Sequence, residues 1–173
     1  LLSLYKDAFP VGYTGQYSAR VAVADIARME GLTDKTPLNL SFYRHVDASK
    51  TVLKLKIFHL GDSLLLSDLI PVLENLGLKV VDEYPYLIHR EESNIWIYDF
   101  TLLYAPNPEI DPVPFRELFS EAFTNIWYEK ADNDRYNQLI LKANIAWRDV
   151  VILRAYARYM KQIRFGLSQH YMA

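Results

Sequence analysis

Residues 66–81 most constrain what this chain can become: Leu66-Ser67-Asp68-Leu69-Ile70-Pro71-Val72-Leu73-Glu74-Asn75-Leu76-Gly77-Leu78-Lys79-Val80-Val81 encode one helix running straight into one strand. Leu69, Val72, Leu73 and Leu76 recur at i, i+3, i+4 and i+7, the apolar stripe of an amphipathic helix. Over 68–76, Asp68 is placed to cap the helix. Pro71 then falls in the first turn, where its missing N–H costs nothing. Gly77 supplies the left-handed residue that ends the helix. A strand begins two residues later. Such a unit belongs to a packed α+β domain, and it carries no reactive group.

The segments before it predict a hairpin. Leu38, Leu40 and Phe42 alternate with Asn39, Ser41 and Tyr43, and Leu53, Leu55 and Ile57 alternate with Val52, Lys54 and Lys56. Asp47-Ala48-Ser49-Lys50 suits the turn. That loop pairs Val46 with Thr51, hence Phe42 with Leu55 and Leu40 with Ile57, so apolar faces apolar across the ladder. Lys54 and Lys56 fall on the other face, near Tyr43 and Ser41. Upstream, residues 3–9 favour a short helix stopped by Pro10, and Gly12 and Gly15 mark a loop. Residues 17–30 favour a helix with Ala22, Ile26 and Met29 on one stripe and Gly31 closing it.

Downstream, strands are expected at about 79–90 and 94–104 with Glu91-Glu92-Ser93 as the turn. Tyr84-Pro85 should bend the first or place it at an edge. In the second, Trp96, Tyr98, Phe100, Leu102 and Tyr104 lie on one face and Ile95, Ile97, Asp99, Thr101 and Leu103 on the other, so both faces should be covered. Pro106, Pro108, Pro112 and Pro114 mark a connector at 105–114. Three helices should follow. The first, 115–128, is built on Phe115, Leu118, Phe119, Ala122, Phe123, Ile126 and Trp127. The second is capped by Asp132 or Asn133, with Tyr136, Leu139, Ile140 and Ala143 inward. The third, about 147–163, is apolar nearly all round and so should be sandwiched or dock on a partner.

The order strand, helix, strand, strand, helix at 51–59, 68–76, 79–90, 94–104 and 115–128 is that of a ferredoxin-like sandwich lacking its closing strand. The strand 38–46 hairpins onto 51–59 where that closing strand would lie. The expected fold class is therefore α+β, a circularly permuted ferredoxin-like antiparallel sheet ordered 38–46, 51–59, 94–104, 79–90, followed by an all-helical extension. Helix 68–76 is expected on one face, and either face of 94–104 could meet the helices. The expected segments are 1–33, 34–105 and 106–173.

With 51% hydrophobic residues, including 13 Tyr, the chain can build a substantial core. A net charge of −2 gives no field for nucleic acid or an anionic membrane. Zero Cys excludes disulfides and thiolate metal sites and fits a reducing cytoplasm. No run reaches the roughly 20 apolar residues of a membrane span, and Leu1-Leu2-Ser3-Leu4-Tyr5-Lys6-Asp7 lacks the order of a signal peptide. The first residue is not Met, so the chain is expected to be a piece of something longer or to lack a disordered start.

Chemistry-bearing residues are dispersed. In the predicted register His45 opposes Val52 and His59 opposes Leu38, and neither these nor His89 and His170 form a metal set or triad. Asp7, Asp25, Glu30, Asp62, Asp82 and Glu83 are scattered. Asp99 stands out in an apolar strand and needs a partner, with Tyr84 or Tyr86 as candidate donors; a structural hydrogen bond is its expected role. Gly61-Asp62-Ser63 forms a small loop whose backbone donors could hold a small anion or amino acid, a plain turn being the simpler role. Arg154, Arg158 and Lys161 line one side of the last helix, with solvation the default. The Trp96, Tyr98, Phe100 row is similar to the stacking platform of RNA-binding ferredoxin-like domains, but few Lys or Arg flank it.

Several stretches together resemble a known family: Leu66–Val81, Asn94–Phe100, Trp147–Gln162, Tyr5-Lys6-Asp7-Ala8-Phe9, Ala24-Asp25-Ile26 and Glu121-Ala122-Phe123. Taken in order along the chain, they are similar to the large bacterial NAD-specific glutamate dehydrogenases. The resemblance implies a place in the long N-terminal half of that polypeptide, as the last of several ACT-like modules (34–105) with helical segments. ACT modules are ferredoxin-like. It also implies a parent enzyme that converts L-glutamate, NAD and water to 2-oxoglutarate, ammonia and NADH, with its dinucleotide fold and catalytic residues further along. No catalytic, metal or cofactor residue is carried onto this stretch, and NAD belongs to the parent. The implied partners are the rest of the polypeptide, other subunits of a homo-oligomer and an amino-acid effector. ACT modules bind amino acids near the loop that corresponds to Gly61, Asp62 and Ser63. The implied role is regulation or assembly; a free-standing amino-acid sensor and a single-strand RNA binder are the alternatives.

Overall fold

The computed structural model describes residues 5, 8–43, 51–90, 93–104 and 112–164, with side chains described from 115 within the last range. The chain divides into two compact units. One comprises Leu1–Ala48, Val52–Leu65 and Val81–Leu102; the other comprises Ser49–Thr51, Leu66–Val80 and Leu103–Ala173.

The first unit is built on a four-stranded sheet of β1 (Leu38–Tyr43), β2 (Val52–Leu60), β3 (Lys79–His89) and β4 (Asn94–Leu103), in the order β1-β2-β4-β3. This is the order expected of the permuted sandwich, with β2 and β4 central. β1 and β2 pair antiparallel with Leu40 opposite Ile57, Phe42 opposite Leu55, Ser41 opposite Lys56 and Leu38 opposite His59, the register that the alternation dictates. β3 is an edge strand, so Pro85 removes no ladder bond on its free side. The turn residues 47–50 and 91–92, and with them the Val46 pairing, lie outside the described residues.

The mixed face of β4 is the one that meets the N-terminal helices. Ile95 and Ile97 share a core with Phe58, Tyr86 and Ile88 from the sheet and with Tyr5, Ala8, Tyr13, Met29 and Leu32. The other face is equally dry: Phe42, Leu53, Leu55, Ile57, Tyr98, Phe100 and Leu102 are all buried. Helix α2 (Ala19–Met29) carries the expected stripe. The expected loop at Gly12 and Gly15 is instead helix α1 (Val11–Gln16), with Pro10 at its N-cap, while most of the helix expected at 3–9 lies outside the described residues. Pro10 is extended, and its carbonyl accepts the N–H groups of Tyr13 (2.9 Å) and Thr14 (3.1 Å). Burial of Tyr13 outweighs the cost of two glycines in so short a helix.

The second unit is helical. α3 (Leu66–Asn75) starts two residues before the expected 68, so Asp68 sits in the first turn rather than at the cap, and Pro71 is inside the helix. The carbonyl that Pro71 leaves without a helical donor belongs to exposed Ser67, where water can serve it. Leu69, Val72, Leu73 and Leu76 are buried as the stripe requires. Gly77 (φ +87) closes the helix: its N–H donates to Glu74 and that of Leu78 to Leu73, the paired bonds of a Schellman cap. α4 (Pro112–Trp127) takes two prolines of the expected connector into its own first turn, where the N–H that proline lacks is not needed. Asp134, not Asp132 or Asn133, caps the next element, accepting the Tyr136 N–H at 3.0 Å. That element is a 3-10 turn (Arg135–Asn137) leading into α5 (Gln138–Lys142), which buries Ile140 and Leu141 rather than Ala143. α6 (Trp147–Gln162) buries Val150, Arg154 and Ala157. Among the described residues no helix is long and apolar enough to cross a membrane.

Candidate functional site

The loop singled out in the sequence follows β2. Gly61 takes a positive φ (+103), and its N–H donates to the Asn94 carbonyl at 2.9 Å. His59 Nδ1 donates to the Asp62 carbonyl at 2.9 Å, and the Leu64 N–H donates to the Tyr98 hydroxyl at 2.6 Å. Gly61 and Asp62 line an open cleft of about 680 Å³ together with Asp34, Pro37, Leu60, Ser93 and Asn94. Ser63 is exposed and outside that lining. Two carboxylates, Asp34 and Asp62, give this cleft an acceptor-rich, anionic rim suited to an ammonium group.

A second constellation lies between the sheet and the N-terminal helices. Lys56, central on β2, is 1% exposed, and its Nζ donates to Asp25 Oδ2 at 2.5 Å. The Tyr13 hydroxyl donates to the same oxygen at 2.5 Å, and the Lys56 ammonium lies 3.7 Å from the Tyr17 ring centroid. Burial pushes the Lys56 pKa down while Asp25 opposes that shift; burial and the hydrogen bond to Asp25 push the Tyr13 phenol far up. An ammonium, a carboxylate, the Tyr13 hydroxyl and the Tyr17 ring face thus meet in one buried cluster. A lateral tether supplements them: the Arg28 guanidinium donates to the Leu40 carbonyl at 2.9 Å.

Sequence reasoning placed Lys56 on the face away from the apolar core and left Asp25 among scattered acids. Both face inward. The signal available was a lysine on a doubly flanked strand together with an aspartate on the apolar stripe of a helix, at i+3 from Ala22 and i−4 from Met29.

Asp99 on β4 is fully buried. Neither expected phenol serves it: the Tyr86 hydroxyl donates to Gln16, and Tyr84 is 47% exposed. Its oxygens have no hydrogen-bond partner among the described residues, and the Lys54 ammonium stands 3.7 Å away, donating instead to Thr101 Oγ1 at 2.8 Å. Burial lifts the Asp99 pKa to about 7, so this carboxyl holds its proton far above the ordinary carboxylate range.

In the helical unit Arg154 is buried rather than solvated. Its guanidinium grips Asp134 with two bonds (2.7 and 2.9 Å) and donates to Asn137 Oδ1 at 2.7 Å. Arg158 pairs with Asp132 at 2.6 Å. The aromatic row of β4 offers no stacking platform, because Tyr98 and Phe100 are buried. His59 and His89 hold the Asp62 carbonyl and the Asn94 side chain; His45 and His170 lie outside the described residues.

Among the described residues no turn carries the glycine run of a dinucleotide-binding loop. A dinucleotide sits where a glycine-rich turn joins a strand of a parallel sheet to a helix. Here the positive-φ glycines are Gly61, in the turn after β2, and Gly77, a helix cap.

Three family models match in succession. Residues 1–32 match glutamate dehydrogenase helical motif 2, residues 37–113 match the glutamate dehydrogenase ACT3 domain, and residues 131–173 match helical motif 3. The chain is 46% identical over 173 residues to an NAD-specific glutamate dehydrogenase of Halomonas elongata, covering all of this chain and 11% of that protein. It is 41% identical over 174 residues to the same-named protein of Pseudomonas aeruginosa (all of this chain, 11% of that one). The protein of that name from Mycobacterium tuberculosis is 34% identical over 176 residues, 97% of this chain and 10% of its own length. The chain thus spans about a ninth of the length of the curated relatives it matches, and the Lys56–Asp25 pair joins a helical motif 2 residue to an ACT3 residue. The chain belongs to the glutamate dehydrogenase family, as a stretch in which an ACT3 domain stands between helical motifs 2 and 3.

Proposed function

We propose that this chain is a non-catalytic regulatory and assembly region, from the N-terminal half of an NAD-dependent glutamate dehydrogenase of the cytoplasm. Its segments are 1–33, 34–105 and 106–173. The parent converts L-glutamate, NAD and water to 2-oxoglutarate, ammonia and NADH at a site elsewhere in the polypeptide. This stretch packs subunits and carries an effector's influence to that site.

The observation that carries this reading is the buried Asp25–Lys56 pair. It clamps one family segment onto the sheet of the next with side chains withdrawn from solvent, so these groups are committed to holding segments together. Two measurements test it. The 173-residue chain alone forms no NADH from glutamate and NAD; turnover by it would overturn the reading. In the whole enzyme Lys56→Met shifts the assembly state or the response to amino acids while the glutamate KM stays put; an unchanged assembly and response would count against it.

The cleft at Gly61 and Asp62 supports an effector site on the same stretch. Its anionic rim favours the ammonium end of an amino acid, and the backbone at Gly61 and Asp62, with exposed Ser63 beside it, is accessible. Calorimetric titration with a panel of amino acids tests this: Asp62→Ala abolishes the heat of the one that binds, and silence from every amino acid removes the site.

A further inference from the structure

Helix α6 buries one of its cations, Arg154, and exposes a row of large apolar side chains. Its cations between Asp149 and Arg164 are Arg154, Arg158 and Lys161, spaced i, i+4, i+7 along the side that also buries Val150 and Ala157. Arg154 and Arg158 are held there by Asp134 and Asp132. The opposite side carries Ile152, Tyr156, Tyr159 and Ile163, which are 54%, 65%, 57% and 55% exposed. Their spacing of four, three and four residues is the seam by which one helix receives another. Between Ile152 and Ile163 no charged residue lies on that stripe, and exposed Arg148 stands one turn before it. A continuous apolar surface of this kind marks an interaction site.

We infer that this outer face of α6 is covered by a helix of the same polypeptide, supplied from outside residues 1–173, with an apolar and uncharged contact stripe. The inference rests on the proposed origin of the chain in a longer enzyme. Two observations select this occupant. The chain accounts for 11% of the length of its Halomonas relative, so most of such a polypeptide lies outside the structure. A segment tethered in the same chain meets the stripe at an effective concentration that a second copy in dilute solution does not reach. Residues 131–173 match a helical motif model, in keeping with a helix that packs among helices.

Hydroxyl-radical footprinting of the full-length enzyme, read by mass spectrometry, tests the inference. Tyr156 and Tyr159 should lose their labelling relative to the same enzyme unfolded in urea, and keep that protection on dilution to the monomer. Labelling at the unfolded level in active enzyme would overturn it. Protection lost on dilution would overturn it too, by assigning the face to a second copy. Glutamate oxidation measured on the same sample separates this from the parentage: inactive full-length protein refutes the proposed function whatever the footprint shows. Ile152→Asp with Tyr156→Asp in the full-length chain should raise labelling at Tyr159, whereas unchanged protection there would contradict the assignment.

Discussion

Among the described residues each unit buries one cation, and the two are held in different ways. Lys56 in the sheet unit leans on a single carboxylate, shared with the Tyr13 hydroxyl and roofed by the Tyr17 ring. Arg154 in the helical unit spreads its planar fork over both oxygens of Asp134 and the amide of Asn137. An ammonium is a point charge whose pKa falls readily on burial, whereas a guanidinium stays charged and divides its bonds. The lysine clamp therefore depends on one partner, and the arginine hub tolerates the loss of one contact. A clamp that fails when one group changes suits a joint between segments; a distributed hub suits a rigid helical body.

The tryptophans separate the units experimentally. Trp96 lies in β4 of the sheet unit, and Trp127 and Trp147 lie in the helical unit. In a Trp127→Phe, Trp147→Phe background, fluorescence during urea unfolding reports the sheet unit alone. Lys56→Met should have the largest effect there, a loss of about 3–5 kcal/mol, because it strands Asp25 as a buried unpaired charge. A loss under about 1 kcal/mol would mean that the pair behaves as if solvated.

The next effect is one of pH. In the unfolded chain Asp99 titrates near 4; in the fold its pKa is about 7. The folded carboxyl keeps its proton where the unfolded one has released it. Its stabilising contribution is full below the unfolded pKa and is lost as pH rises toward the folded pKa. The sheet unit should lose about 4 kcal/mol between pH 4 and pH 8, and Asp99→Asn should flatten that slope. A slope unchanged in the variant would show that another group titrates.

Arg154→Lys, followed by Trp127 and Trp147, should cost the helical unit about 2 kcal/mol, less than losing Lys56, since one ammonium replaces part of the fork. An equal or greater loss would reverse the contrast between clamp and hub. Smallest is Gly77→Ala, about 1 kcal/mol. The positive φ strains alanine, while the added Cβ would meet Gln138 at an ordinary 3.5 Å.

How much of this was legible in the sequence follows from which forces are local. The β1–β2 register was readable because Leu40, Phe42, Leu55 and Ile57 alternate with period two on both strands. The strand order was readable because the order of elements left one place for the extra strand. Gly77 announced the helix end. The helix at Val11–Gln16 was read as a loop and the helix starts at Leu66 and Pro112 were misplaced, where burial or a tolerated proline overrode local propensity. The Lys56–Asp25 clamp was missed because its members stand 31 residues apart, and alternation alone assigns a lysine to water. The Asp99 partner was misjudged because neighbouring strands did not reveal that Tyr86 would turn to Gln16. Of the loop residues, Gly61 and Asp62 reached a cleft and Ser63 did not.

A double-mutant cycle of Asp25→Leu and Lys56→Met, read through Trp96 as above, is the most direct test of the claim that a buried charge pair fastens the N-terminal helices to the sheet. Each single change should be costly and the double change should recover most of the loss, giving a coupling of about 2 kcal/mol or more. Losses that simply add would contradict it.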